Sequence, residues 1–175
     1  MVRLTVGTTT PSASLLGAGG NLTSDGVSTY TYDHANRLSS VVQGPDTYTF
    51  AYNGLGDRLQ QTVNSDTANY TLDLYTGLTQ ILSDGANTYL YGVGRLGEEQ
   101  AGGWEYPLGD ALGSVRQLVD TGAAVTLARS YEPFGDTITS TGSGATAFQF
   151  TGEARDGTGL TPSVPGWDWT LSPII

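Results

Sequence analysis

Candidate chemistry in this chain rests on its glycines, its carboxylates, a single histidine and its aromatic rings. Gly92-Val-Gly-Arg-Leu-Gly97 fits G-x-G-x-x-G, the spacing that lets backbone N–H groups approach a pyrophosphate at a strand-to-helix turn. That use needs a helix opening at Gly97. The following Glu98-Glu-Gln-Ala-Gly-Gly103 offers barely one turn of helix, so the segment reads as a glycine-rich hairpin turn. His34 could serve a Ser-His-Asp triad, but nothing places a nucleophile elbow, and a turn histidine is the expectation. Asp110 and Asp156 could form a carboxylate pair, or a hard-cation site with Asp57 or Asp120. Aspartates in Gly-rich turns ordinarily cap those turns instead. The 10 Tyr and 3 Trp could stack on sugars. Regular aromatics in a sheet more often fill its packed face, where each buries about 150–250 Å². No catalytic, cofactor-binding or metal-ligating residue is assigned.

The elements that carry these residues follow from a period of about twenty residues. One aromatic phrase recurs as Tyr30-Thr-Tyr-Asp33, Phe50-Ala-Tyr-Asn53, Tyr70-Thr-Leu-Asp73 and Tyr89-Leu-Tyr-Gly92. A turn-like stretch follows each, and after the first three an apolar run led by Leu38, Leu59 and Leu78. Aromatics at every second position share one face of a strand, so Tyr48, Phe50 and Tyr52 face one way and Thr47, Thr49 and Ala51 the other. The unit is strand, turn, strand: one β-hairpin per period. Leu59 and Val63 are expected on one face of the returning strand. Arg37 and Arg58 both stand just after their turns and are expected to fork onto Asp or carbonyl groups of neighbouring turns. A row of Arg for an anionic ligand fits poorly, because acids outnumber bases.

Composition narrows the function classes. A chain of 175 residues can bury a core as one domain. Its formal net charge is -10 and every cation is Arg. This disfavours non-specific nucleic-acid binding, which needs basic patches, and attraction to an anionic membrane surface. With no Cys there are no disulfides, and the redox compartment is left open. No apolar run approaches the ~20 residues of a membrane span, and residues 1–20 make a poor secretion signal.

The motifs now resemble a known family. Gly20-Asn-Leu-Thr-Ser-Asp-Gly26 followed by Tyr30-Thr-Tyr-Asp-His-Ala-Asn-Arg-Leu38 looks like the tyrosine–aspartate (YD) repeat of RHS proteins. Tyr106 to Asp120, Tyr131-Glu-Pro-Phe-Gly135 and Phe148 to Leu160 look like successive blocks of the RHS repeat-associated core. On that resemblance the repeat residues are Tyr30, Tyr32, Asp33, Arg37, Phe50, Tyr52, Asn53, Arg58, Tyr70, Asp73, Tyr89 and Tyr91. The core-motif residues are Asp110, Gly113, Ser114, Tyr131, Pro133, Phe134, Gly135, Phe150, Gly152 and Gly159. The chain divides into a linker or frayed partial repeat (1–19), YD-type hairpins (20–103), a core segment (104–160) and a proline-rich tail (161–175).

The resemblance implies an all-β fold of stacked antiparallel hairpins in a curved, spiralling sheet, as in toxin-complex shell components and teneurins. In bacteria such shells commonly enclose a toxic segment and often carry a self-cleaving aspartyl protease region. In animals the related shell belongs to a cell-surface receptor. Here the tail replaces the expected Gly-Arg-Phe strand, and no protease signature follows. About 14–16 strands at ~4.8 Å spacing and ~20 Å height give on the order of 1,500 Å² of wall, too little to enclose a domain of ~15 Å radius. The expectation is therefore a non-enzymatic arc of an RHS-type shell from a secreted or cell-surface parent. Its partners would be the rest of the shell or other copies through sheet edges, and a toxin or effector cargo. A carbohydrate- or protein-binding β-module, and a truncated or frameshifted remnant, are the alternatives.

Overall fold

The computed structural model describes residues 15–75 and 79–158. These residues form fifteen strands and one three-residue 3-10 turn, in two antiparallel sheets. The first sheet runs β1 (Leu15–Leu16), β2 (Leu22–Ser24), β3 (Ser28–Tyr32), β4 (Leu38–Gln43), β5 (Asp46–Tyr52), β6 (Arg58–Val63) and β7 (Asp66–Asn69). The second runs β8 (Thr71–Asp73), β9 (Gln80–Ser83), β10 (Thr88–Tyr91), β11 (Arg95–Gln100), β12 (Gly103–Gly109), β13 (Val115–Asp120), β14 (Val125–Tyr131) and β15 (Thr137–Gly142). Every hydrogen-bonded neighbour is the next strand in sequence, so the stack of antiparallel hairpins expected from the repeat is what the chain forms.

Alternating strand direction gives the wall two rims. One carries the turns after β1, β3, β5, β8, β10, β12 and β14. Five of these enclose five residues: 17–21, 33–37, 53–57, 110–114 and 132–136. In each, the first N–H donates to the fifth carbonyl and the fourth N–H returns to the first carbonyl. The fourth residue has positive φ in all five: Gly20, Asn36, Gly56, Gly113 and Gly135. This is a type I turn closed by a left-handed residue, which leaves one extra residue on the returning strand. The ladder skips Thr23, Ser39, Leu59, Arg116 and Ile138 accordingly.

That bulge overturns the simple alternation expected for β6. Leu59 is the skipped residue and is exposed, whereas Val63 packs against the core. The inward positions are three apart rather than two: Leu38 and Val41, Arg58 and Gln61, Val115 and Leu118 are all buried. Turn alignment also separates the two arginines. Arg37 closes its turn where Asp57 closes the next, and Arg58 occupies the place of Leu38. The expectation that both stand just after their turns therefore holds for Arg58, while Arg37 is the last residue of its own turn.

Each sheet packs its aromatic face into its own cluster. Tyr30, Leu38, Val41, Tyr48 and Phe50 form the first, with Tyr32 and Tyr52 at its margin. Tyr89, Val115, Leu118, Leu127 and Phe148 form the second. Thr47, Thr49 and Ala51 face out, as alternation along β5 requires.

The two sheets meet in one extended stretch. The Tyr70 N–H still bonds the Leu59 carbonyl of β6 at 2.8 Å, and from Thr71 onward the chain pairs with β9. The turn after β9 abuts the opposite edge of β7: a Cβ built on Gly85 would lie 3.5 Å from the Asn69 backbone N and O. The wall thus passes from the first sheet to the second by a shift along the strand direction, with no break in the chain's path.

Candidate functional site

A hydroxyl distinguishes the second aromatic of the first two phrases, and Tyr131 of the core block shares the arrangement. The Tyr52 hydroxyl donates to the Leu38 carbonyl at 2.7 Å, Tyr131 to Val115 at 3.0 Å and Tyr32 to Leu22 at 2.9 Å. Leu38 and Val115 each open the strand that follows the preceding five-residue turn. Each tyrosine therefore stitches its hairpin to the one before, a bond that phenylalanine could not make. The first aromatic reaches the opposite rim. Tyr30 donates to Asp25 Oδ2 at 2.7 Å and Tyr89 to Asp84 Oδ2 at 2.5 Å. Burial, reinforced by Asp25, pushes the Tyr30 phenol up to about 12, and the same two causes raise Tyr89 beside Asp84. Asp25 and Asp84 were not among the residues singled out from the sequence. Their signal was the repeated Ser-Asp-Gly-x-x-Thr-Tyr at 24–30 and 83–89.

The Asp or Asn that opens a five-residue turn caps it, whereas the turn opened by Glu132 is held by backbone bonds. Asp33 Oδ1 accepts from the Ala35 and Arg37 N–H groups, Asn53 from Leu55 and Asp57, and Asp110 from Leu112 and Ser114. Asp73 accepts from Tyr75, and Asp120 caps a matching turn at 120–124 on the other rim. Arg37 pairs with Asp33 at 2.7 Å and donates to the Asn53 carbonyl of the next turn at 3.0 Å. The backbone bond from Arg37 and its guanidinium hold the Asp33 carboxyl below its ordinary range. Tyr70 donates to Gln61, and Tyr91 packs half-buried against the second cluster.

Most of the described core-motif residues gather at one place. After β15 the chain crosses the inner face as a closing segment, 146–158. Its 3-10 turn, Phe150–Gly152, seats between the turns at 110–114 and 132–136. Ser114 is fully buried and its hydroxyl accepts the Thr151 N–H at 3.0 Å, while the Val115 N–H donates to the Gln149 carbonyl. Gly113 faces Thr151, and Gly135 faces Phe150, where a Cβ would stand 2.9 Å from the ring. Phe150 meets Tyr131 edge to face at 5.9 Å. Pro133 and Phe134 lie in the turn, with Phe134 pointing to solvent. Gly159 lies outside the described residues, as do residues 1–14, Leu78 and the tail.

Farther along, the closing segment reaches the first sheet. Asp156 pairs with Arg58 at 2.7 Å, 98 residues away, with the two side chains 8 % and 5 % exposed. The Arg58 guanidinium also lies 4.2 Å over the Phe50 ring. On the second sheet, Glu98 is fully buried and accepts from Thr146 at 2.9 Å and Gln100 at 2.5 Å. Burial holds the Glu98 carboxyl above the ordinary range. Arg95 stacks 3.5 Å from the Phe148 ring centre, and burial lowers its pKa. Between sheet and closing segment is a recess of about 800 Å³, lined in part by Tyr52, Gln61, Tyr70, Tyr89 and Phe148.

The chemistry weighed at the outset takes these forms. Gly92-Val93-Gly94 is the hairpin turn between β10 and β11, with Gly92 N–H bonded to Gly94 carbonyl. His34 is exposed in its turn. Asp110 and Asp120 are committed to turns on opposite rims, Asp57 accepts from Thr79 and Asp156 holds Arg58, so they do not converge. Among the described residues no group of three or more His, Asp or Glu side chains is arranged to hold a metal ion. No helix among them is long and apolar enough to cross a membrane.

No protein-family profile matches the chain. A curated relative, the tRNA3(Ser)-specific nuclease WapA of Bacillus spizizenii, is 42% identical over 57 residues, which is 31% of this chain and 2% of that protein. The solved Tc holotoxin pore of Photorhabdus luminescens matches 84% of this chain and 8% of its own, at 16% identity and a TM-score of 0.56. The crystal structures of TcdB2-TccC3 and TcdB2-TccC3-Cdc42 match 84% of this chain and 9% of theirs, at 17% and 18% identity, each with a TM-score of 0.62. The chain therefore spans less than a tenth of each of these proteins. Its hairpins, with their tyrosine stitches and capped turns, have the fold of a stretch of RHS/YD-repeat shell wall.

Proposed function

We propose that this chain is a non-catalytic wall segment of an RHS-type shell that encloses or presents a toxin, effector or cell-surface interaction region. The observation that carries the reading is the superposition of most of the chain on Tc toxin shells. The inner construction agrees with a load-carrying role. Aromatics of the repeat are spent on packing and stitching, carboxylates on capping turns, and the buried ion pair on fastening the closing segment. A sugar-binding role draws no support from the repeat aromatics, since Tyr30, Tyr48, Phe50, Tyr89 and Tyr131 are all buried. The parent is proposed to act in secretion or at a cell surface, as a shell that delivers or displays its contents would.

The test is the genomic locus read well past both ends of this reading frame. YD-type hairpin sequences continuing upstream, with a Gly-Arg-Phe strand downstream in any frame, are the expected result. A locus with no repeats on either side would remove the shell reading and leave a free-standing β-module.

A further inference from the structure

The face of the second sheet turned away from the closing segment carries a feature that the first sheet lacks. On the first sheet that face holds a row of hydroxyls: Thr31, Ser40, Thr49, Thr62 and Thr67 pair across successive strands. On the second, Trp104 and Tyr106 of β12 stand there, on one side of the strand because they alternate with Glu105. Pro107 pairs with the fully buried Leu118, which puts Tyr106 and Leu108 on the outer side. Both rings converge on Gly97 of β11. A Cβ built there would lie 3.2 Å from Trp104 Cε3 and 3.3 Å from Tyr106 Cδ1. Glu99 pairs with Trp104 in register, so their Cβ atoms stand about 5 Å apart on the same face. Glu99 is exposed, and among the described residues no hydrogen bond or ion pair holds its carboxylate.

Elsewhere the chain supplies such rings with a cation of its own. Arg37 lies over Tyr52, Arg58 over Phe50 and Arg116 over Tyr131. Each of these arginines also meets a carboxylate: Asp33, Asp156 and Asp110. Ring, carboxylate and guanidinium thus recur together. Trp104, Tyr106 and Glu99 offer the rings and the carboxylate, and among the described residues no guanidinium joins them. The arginines of the second sheet are engaged elsewhere: Arg95 over Phe148, Arg116 with Asp110 and Arg129 at Ser140. The chain has no Lys.

We propose that Trp104, Tyr106 and Glu99 form a recognition site for a cationic side chain, arginine above all, presented by a basic partner protein. A guanidinium stacks on a ring face while its N–H fork meets a carboxylate, a combination that an ammonium group makes less well. Leu90, Leu108 and Val125 stand half-exposed on the same face and give the partner's alkyl stems an apolar bed. A net charge of -10 draws a basic partner and repels an acidic one. Further wall of the same kind would join by backbone pairing at the end strands β1 and β15 or by contact along the rims, and neither covers a sheet face.

Proton–nitrogen correlation spectra of the full chain, titrated with N-acetylarginine amide, test the proposal. Trp104→Phe assigns the Trp104 indole N–H. The expected result is a saturable movement of that signal and of the Gly97 amide at roughly millimolar concentration. Glu99→Gln should weaken the affinity about three- to fivefold, and N-acetyllysine amide should bind less tightly than the arginine derivative. Glu99 is exposed, so the rest of the variant's spectrum is expected to stay unchanged and certify its fold. No movement of the two signals overturns the proposal. So does binding that Glu99→Gln leaves unchanged, which would mark diffuse attraction to an acidic chain. Movement with cellotetraose and none with the arginine derivative would also overturn it and make the rings a sugar site. The result is independent of the shell reading, which the locus decides.

Discussion

Removing Arg58 should cost far more than a surface ion pair, and most of the loss should return when Asp156 is neutralised as well. The two charges lie 2.7 Å apart with both side chains over 90% buried. Their gross attraction at an effective dielectric of ~20 is ~6 kcal/mol, set against several kcal/mol of desolvation per ion. The net worth of the pair is therefore small, while an isolated Asp156 is expensive. Arg58→Met keeps most of the packing on Phe50 but takes the counter-charge from Asp156, and ~3–5 kcal/mol of stability should be lost. With an m-value of ~2 kcal/mol/M, the urea midpoint should fall by ~1.5–2.5 M. Asp156→Asn keeps the side-chain oxygen that accepts from Thr158 and removes the charge. On the Arg58→Met background it should raise the midpoint, whereas on the unaltered chain it should lower it. Urea titrations of the four chains, followed by tyrosine and tryptophan fluorescence, read that reversal of sign. A loss below ~1 kcal/mol in Arg58→Met, or no recovery in the double variant, would refute the reasoning.

Three further outcomes follow from the same geometry. Tyr52→Phe should lower stability by ~1–2 kcal/mol in denaturant titration, because it leaves the Leu38 carbonyl without its donor while preserving the packing. Gly142→Ala should be much worse than Gly56→Ala, although both sites have φ near +100°. The added Cβ at 142 would stand 2.1 Å from the Thr126 carbonyl, while at 56 nothing lies within 4 Å and only ~1–2 kcal/mol of left-handed strain applies. Hydrogen exchange should show β15 released in the first variant alone. Because burial raises Glu98 in the folded chain, folding binds its proton more tightly than the unfolded chain does, so its contribution favours low pH. That contribution declines as pH rises from the unfolded value of about 4.3 through the raised folded one. Glu98→Gln should remove that slope and stabilise the chain at neutral pH, as melting temperatures across pH 4–8 would reveal (about that range suffices).

Hairpin existence and phase were legible because they depend on neighbours in sequence. Alternation along β5 sent Tyr48 and Phe50 inward, and Asp or Asn before a short polar run marked the capped turns. What alternation missed was the bulge, a property of the turn's closure rather than of side-chain pattern. A left-handed fourth residue forces an extra residue onto the returning strand, which moves Arg58 and Gln61 inward and Leu59 outward. The pairing of Arg58 with Asp156 was invisible for another reason: 98 residues separate them, and no local preference encodes a contact between a hairpin and a segment that crosses the sheet last. The core-motif residues were visible as a pattern, but the seat that Gly113, Ser114, Tyr131 and Gly135 form for residues 150–152 needed the tertiary fold. Glu98 gave no sign at all, since a buried carboxylate in a Glu-Glu pair reads like any solvent-facing charge.

The passage through Tyr70 has a geometric consequence for any wall built this way. Residues 66–70 pair with β6 and residues 71–73 with β9, so the second sheet begins about five residues higher along the strand axis than the first. At ~3.3 Å per residue that is a rise of ~16 Å, nearly a full strand height. Curvature alone would bring a strip of hairpins back onto its own starting edge. One such step per circuit turns the loop into a ramp whose lead equals the height of the strip, so that successive courses clear one another and come to lie rim upon rim, like the thread of a screw.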